Sequence, residues 1–246
     1  MISFIVPAHN EELLIGRCLS SINDAAHECG VECELIVVDD ASTDRTAQIA
    51  REQQARVVTV HKRQIAAVRN AGAREARGDL FVFVDADTWI NPDVVRDILS
   101  AEGAGAIGGG CLFRFDGRLP LWARLMYPPV IALFRRFQLV GGCCLFSTRE
   151  AFEAIGGFSE LHFAAEEWFF RTALRRRGKF VIPAACCVTS GRKLRTYSGF
   201  EIFWTLLRIS MGGAKSYHSR ELLDVWYGER RPDPQALGDG ALSANR

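Results

Sequence analysis

Four short apolar runs, most of them closed by a polar turn and each followed by a stretch with helical spacing, constrain this chain more than any other feature. The first, Ile2–Val6, is closed by Pro7. The second, Leu35–Val38, ends in Asp39-Asp40, the third is Val57–Val60, and the fourth, Leu80–Val84, ends in Asp85-Ala86-Asp87. Asn10–Ile22 places Leu13, Leu14, Cys18, Leu19 and Ile22 at helical spacing, with Asn10 as its cap. Ser42 or Thr43 caps a second helix reaching Gln54, and Ile65–Arg77 is a third, stopped by Gly78. Asn91 caps a fourth, with Pro92 in its first turn, running to Ser100. This alternation predicts an α/β fold with a mostly parallel central sheet flanked by helices. In such sheets ligands bind beyond the carboxyl ends of the strands. The turns His9–Glu12, Asp39–Asp40 and Asp85–Asp87 all lie at that edge, so they are expected to converge.

The second half is less regular. Ile107–Phe115 and Leu139–Ser147 read as strands and Pro120–Phe137 as an amphipathic helix. Arg149–Ile155 reads as a short helix ending at Gly156-Gly157, Ala165–Arg177 as a helix, Lys179–Ile182 as a strand and Phe200–Tyr217 as a helical stretch. The polar, Pro- and Gly-rich segment 228–246 is expected to be a disordered tail. No repeat or linker divides the rest, which predicts one domain over 1–227, with halves 1–100 and 101–227.

Apolar residues at 48% and charged residues at 24% fit a globular protein and exclude a collagen, a coiled coil or a disordered chain. Thirty basic against 29 acidic residues give no field for gripping nucleic acid. The eight cysteines form no Cys-x-x-Cys pair, and two adjacent doublets sit in apolar runs, so reduced core thiols are expected. The first residues read as a strand and not a signal peptide, and no run is long enough to span a bilayer. The expected location is the cytoplasm. Leu119–Phe137 combines aromatic and aliphatic residues with Arg124, Arg135 and Arg136, which suits peripheral contact with an anionic inner membrane surface, a core helix or a subunit contact.

Asp85-Ala86-Asp87 is the sharpest local signal. Two carboxylates one residue apart at the end of a buried strand can face one hard cation, such as Mg²⁺ or Mn²⁺, which also binds substrate phosphates. Asp40, at a second strand end, can accept hydrogen bonds from a ribose or base, or serve as a helix cap. Glu166-Glu167 stands at a helix start among Ala165, Trp168, Phe169 and Phe170, where desolvation raises a carboxyl toward the range of a general base. Neighbouring helical side chains point about 100° apart, so only one of the two is expected to face a site. Gly103–Gly108 matches G-x-G-x-x-G, but a helix precedes it and a strand follows, the reverse of a dinucleotide site. Cys143-Cys144 has no His or Asp beside it to make a thiol nucleophile. From Arg171 to Arg195 there are eight basic residues and no acid, and Arg192-Lys193 can reach a diphosphate.

Taken together, these motifs resemble the family-2 glycosyltransferases of the type A (GT-A) nucleotide-diphospho-sugar fold, from Ile2 to about Val181. Phe4–Glu12 resembles the family's opening strand and turn, and Val37–Asp44 its second nucleotide-binding turn. Arg69-Asn70-Ala71-Gly72, Gly78-Asp79 and Asp85-Ala86-Asp87 resemble its helix, strand and metal motif. Gly156-Gly157-Phe158 and Glu166-Glu167 resemble its acceptor-side motifs. The resemblance implies that Pro7, Ala8, His9, Glu11 and Asp40 hold the base and ribose. It implies Arg69 near the nucleotide or its phosphates, with Ala86 in the same donor site. Asp85 and Asp87 would hold Mg²⁺ or Mn²⁺, Asp87 more directly. Glu167 would be the base, with Glu166 as the alternate, and the outcome is inversion. The donor would be a nucleotide-diphosphate sugar, UDP favoured over GDP or dTDP, and the acceptor a sugar, lipid or small molecule.

Two departures stand out. Glu167 occupies a position where the family usually has Asp, and the later His of many metal sites is replaced by Val188–Lys193, which leaves Arg192 and Lys193 to share phosphate neutralisation. The Gln-x-x-Arg-Trp motif of processive members is absent, implying transfer of a single sugar. The competing readings are a sugar-phosphate nucleotidyltransferase, disfavoured by the acidic turn His9–Glu12, and a non-catalytic nucleotide-sugar-binding module.

Overall fold

In the computed structural model, residues 1–161, 165–211, 231 and 233 are described. The first half follows the alternation closely: β1 (Ile2–Ala8), α1 (Ile15–Glu28), β2 (Cys33–Asp40), α2 (Thr46–Glu52), β3 (Arg56–Val60), α3 (Ile65–Glu75) and β4 (Leu80–Val84). Next come β5 (Thr88–Trp89), α4 (Pro92–Gly103), β6 (Ala106–Gly110), β7 (Leu112–Phe115) and α5 (Leu121–Phe137). The remainder is β8 (Cys144–Thr148), α6 (Arg149–Ile155), α7 (Glu166–Arg175), β9 (Lys179–Val181), β10 (Cys186–Thr189), α8 (Arg192–Thr196) and α9 (Gly199–Met211). The helix expected to reach Tyr217 passes outside the described residues after Met211, and so does the expected tail, apart from Arg231 and Asp233.

The main sheet has seven strands in the order β3-β2-β1-β4-β8-β6-β9. β1 pairs in parallel with β2 and β4, β2 with β3, and β6 with β9. Only β8 runs antiparallel to its neighbours β4 and β6. Every residue of β1 and β4 is buried, as central strands covered on both faces require. One face packs on Ile15, Leu19 and Ile22 of α1 and on Val94, Val95 and Ile98 of α4. The other packs on α3, α6 and α7 through Ala66, Val68, Phe152, Phe170 and Leu174. α3 lies close to the sheet because Gly72 has no side chain: a Cβ there would sit 2.4 Å from Ile5 Cγ2 and 2.7 Å from Val38 Cγ2.

Several local expectations need correction. Asn10 does not cap α1, which starts at Ile15 without a side-chain cap. Instead Asn10 adopts φ 52°, its N–H donates to Ser42 Oγ and its Oδ1 accepts from Thr43 N. That clasp ties the β1 turn to the β2 turn, so neither Ser42 nor Thr43 caps α2. Asp44 accepts from Thr46 N at 2.9 Å at that helix start. The expected strand Ile107–Phe115 is split at Cys111 into β6 and β7, which lie in different sheets. Within β6 a Cβ on Gly109 would lie 2.4 Å from the Phe146 ring, so only bare backbone packs against β8 there. Likewise the strand expected from Leu139 begins only at Cys144. The Asn91 cap holds as expected, its Oδ1 accepting from Val94 N at 3.0 Å.

A second sheet, β5-β10-β7, has three strands. β5 begins one residue after Asp87 and pairs antiparallel with β10, joined by a buried hydrogen bond from Thr88 Oγ1 to Thr189 Oγ1 at 2.9 Å. Sequence reading did not find it, because two residues carry no periodicity. It nevertheless fixes the site, since Ser190 N donates to the Asp87 carbonyl and α8 follows at once.

Candidate active site

The carboxyl ends of β1, β2 and β4 do converge. Pro7 and Ala8 close β1 inside the sheet, paired with Val38 and Asp39 of β2. His9 Nδ1 bonds the Asp40 carbonyl at 2.7 Å, and its other ring nitrogen meets Arg63. Asp40 uses both carboxylate oxygens on the next loop, accepting from Lys62 N at 2.6 Å and Arg63 N at 2.7 Å. It therefore fixes the loop beside His9. Asn10, Ala41, Arg63 and Ala165 all have φ between 50° and 60°, a left-handed geometry that is strained for non-glycine residues. All four stand at these turns or immediately before Glu166.

Arg69 and Arg192 organise the acids. Arg69, only 1% exposed, donates from Nη2 to Asp85 Oδ1 and to the Gly142 carbonyl, both at 2.8 Å, and from Nη1 to Glu166 Oε1 at 3.0 Å. Arg192 grips Glu11 with two hydrogen bonds of 2.7 and 2.5 Å and reaches Asp87 Oδ2 at 3.0 Å. Glu11 and Arg192 are 181 residues apart in the chain. Arg192 sits at the start of the short helix α8, held by Gly191 N donating to Asp116 Oδ1 and by Arg195 pairing with Asp116 and Asp233. Asp116 gave no signal in the sequence. Burial pushes the Asp85 carboxyl up, opposed first by the Arg69 charge and last by that of Lys193. Thus the basic block divides: Arg192 reaches Glu11 and Asp87, while Arg171 bonds the carbonyls of Phe137 and Gln138.

Asn70 explains the distant Gly-Gly-Phe. Its amide donates to the Phe158 carbonyl and to Glu160, and its oxygen accepts from Phe158 N at 2.9 Å. Gly157, at φ 77°, is where a Cβ would lie 2.7 Å from that oxygen. Phe158 then stacks on Phe170 at 4.2 Å and meets Phe83 edge-on at 4.9 Å. The Arg69 guanidinium lies over Phe158, so the cation that holds Asp85 and Glu166 rests on an aromatic ring.

Glu166 and Glu167 correct the expectation that only one faces the site. A Cβ placed on Gly142 would lie 3.8 Å from Glu166 Oε1 and 4.0 Å from Glu167 Oε2. The first turn of a helix lets both side chains fold back toward its amino end. Burial, reinforced by the neighbouring Glu166 charge, pushes the Glu167 carboxyl up to about 8. Among the described residues Glu166 is ion-paired with Arg69, while Glu167 makes no such direct pair. It also lines a cavity of about 340 Å³ with Phe134, Val140, Trp168, Phe169 and Arg171.

Asp85 and Asp87 flank the buried Ala86 and each gives one oxygen to an arginine. Among the described residues no group of three or more His, Cys, Asp or Glu side chains is placed to hold a metal. Two hard carboxylates at a strand end still fit an ion that takes one or two protein carboxylates and fills its shell with phosphate and water. All eight cysteines are free thiols. Hydrogen bonding to Cys187 and burial hold the Cys143 thiol well above its usual value, which disfavours a thiolate nucleophile. The G-x-G-x-x-G run is the end of α4, a turn at Gly105 with φ 80°, and the start of β6.

Residues 3–156 match the family described as glycosyl transferase family 2. The chain is 33% identical over 107 residues to the putative glycosyltransferase EpsH of Bacillus subtilis, covering 42% of this chain and 30% of that protein. It is 30% identical over 166 residues to the dolichol-phosphate mannosyltransferase of Pyrococcus furiosus, covering 65% of this chain and 46% of that one. It therefore spans less than half the length of these two relatives. In fold it is similar to the mannosyltransferase PcManGT of Pyrobaculum calidifontis, solved with GDP-Man and Mn²⁺, at a TM-score of 0.65 and 19% identity, over 100% of this chain and 80% of that one. The architecture is the type A glycosyltransferase fold. With the matched region running from β1 into α6 and taking in both acidic strand ends, the chain belongs to glycosyl transferase family 2.

Proposed function

We propose that this chain transfers a single sugar from a nucleotide-diphosphate sugar to an acceptor hydroxyl, with inversion at the anomeric carbon. One observation carries the reading: Arg69 bridges the strand-end carboxylate Asp85 and the Glu166-Glu167 pair, so donor-side and acceptor-side acids share one buried cation.

Pro7, Ala8, His9 and the loop held by Asp40 form the side that would receive the base and ribose. Asp87 and Asp85 would hold Mg²⁺ or Mn²⁺. When bound, such an ion neutralises charge on the leaving diphosphate. Arg192 and Lys193 approach the same place. Arg192 Nε is buried without a hydrogen-bond partner among the described residues, an N–H suited to a phosphate oxygen. Glu11 stabilises and aims that guanidinium rather than meeting the ligand directly.

Glu167 takes the acceptor proton as the hydroxyl oxygen attacks the anomeric carbon. The bond from that carbon to the phosphate oxygen breaks, and its electron pair leaves with the diphosphate. Arg69 holds Glu166 in place beside Glu167. The cavity beside Glu167, with Phe134, Trp168 and Phe169 in its lining, suits an acceptor with an apolar part.

A donor screen that detects release of nucleoside diphosphate tests this, run with UDP-sugars first, then GDP- and dTDP-sugars, each with Mg²⁺ and Mn²⁺. Release that is lost in Asp87→Asn supports the proposal. Pyrophosphate release from a nucleoside triphosphate and a sugar phosphate would instead support a nucleotidyltransferase.

A further inference from the structure

Among the described residues α5 is held along one side only, by Tyr127 Oη donating to the Phe113 carbonyl and by Phe134 meeting Phe113 edge-on. Of its 17 residues only Ala123 is buried. Leu121, Leu125, Met126, Val130, Leu133 and Phe137 are between 37% and 68% exposed. Their spacing of mostly three and four residues makes one continuous apolar stripe. α9 adds Phe200, Phe203 and Trp204, which are 72%, 60% and 45% exposed. The helices meet where a Cβ on Gly199 would lie 3.1 Å from the Trp122 ring, so both sets belong to neighbouring parts of one surface. A patch with this many large apolar side chains on a soluble face marks an interaction site.

The charge on α5 selects the occupant. Arg124, Arg135 and Arg136 are exposed, and no acid occurs from Leu121 to Phe137. An apolar stripe rimmed by guanidinium groups complements the negative surface of an anionic bilayer. A second copy complements it poorly: a two-fold contact places the same face against itself and brings the arginines together. We infer that the exposed faces of α5 and α9 seat this chain on an anionic lipid surface. Phe134 of α5 lines the cavity that reaches Glu167, so this seat adjoins the acceptor side of the site. The inference does not depend on the sugar-transfer reading.

Flotation of the full chain with vesicles of mixed phosphatidylcholine and phosphatidylglycerol, against phosphatidylcholine alone, tests it. The expected result is about tenfold or greater preference for the anionic vesicles, weakened by salt. Leu125→Asp with Met126→Asp should abolish flotation, and Arg135→Glu with Arg136→Glu should remove the anionic preference. Both variants should keep cooperative unfolding and any shift with nucleoside diphosphate. A chain that unfolds cooperatively and does not float overturns the inference, as does flotation indifferent to Leu125→Asp with Met126→Asp. A dimer by light scattering that these aspartates dissociate, without vesicle binding, would assign the face to a second copy. Flotation without any nucleotide response would uphold the seat and defeat the transfer reading alone.

Discussion

Arg69 donates to Asp85 across 2.8 Å while itself only 1% exposed. The same guanidinium holds Glu166, so removing it strands two acids. Breaking a buried pair by deleting one partner costs about 3–5 kcal/mol. Arg69→Ala is expected to lose stability on that order in chemical denaturation. Arg69→Lys should recover only part, because a single ammonium cannot span Asp85, Glu166 and the Gly142 carbonyl in the way a planar fork does.

Glu167 carries the clearest pH signature. Its carboxyl is pushed from 4.5 up to about 8, so the folded state binds more protons than the unfolded state between those values. Stability from this group is fully present below 4.5 and is lost as pH rises toward 8. Glu167→Gln removes that loss, so the variant should gain on wild type in melting temperature as pH rises through this window. The same substitution should retain nucleotide binding and lower transfer by about 10²–10⁴-fold. A dead Glu166→Gln beside an active Glu167→Gln would reassign the base.

Arg192 joins β1, β4 and α8 through Glu11 and Asp87. Arg192→Gln leaves Glu11, which is 5% exposed, without its bidentate partner. A loss on the order of 3 kcal/mol is expected. Nucleoside-diphosphate affinity, measured by calorimetry, should also fall. Unchanged affinity would remove Arg192 from the donor site.

Gly72→Ala probes the fold apart from the chemistry. The added methyl would lie 2.4 Å from Ile5 Cγ2, with central strands behind it that cannot yield. Overpacking of this kind costs about 1–3 kcal/mol. A melting temperature equal to wild type would show that α3 can lift off the sheet.

The strand ends were legible because their signal is local: an apolar run, then acids. α/β topology alone brought Asp40 and Asp85 to one edge. What stayed hidden depends on contacts between distant segments. Arg192 reaches Glu11 only because β5 and β10 pair, and a two-residue strand has no period to read. Asn10 is of a type that favours helix caps, yet Ser42 and Thr43, 32 and 33 residues away, engage it instead. The Ile107–Phe115 run divides at Cys111 between two sheets, a tertiary relation that no spacing encodes. Glu166 and Glu167 were separated by ideal helix angles, which the first turn of α7 does not obey.

Thermal unfolding with UDP, GDP or dTDP, in the presence of Mn²⁺ or Mg²⁺, tests the donor site most directly. A ligand at about 100 times its Kd stabilises the folded state by about 2.7 kcal/mol. At least one nucleotide with metal is expected to raise the melting temperature of the wild-type chain, and Asp87→Asn should abolish most of that rise. No shift with any of the three, from a chain that unfolds cooperatively, would contradict a nucleotide-diphosphate site at the ends of β1, β2 and β4.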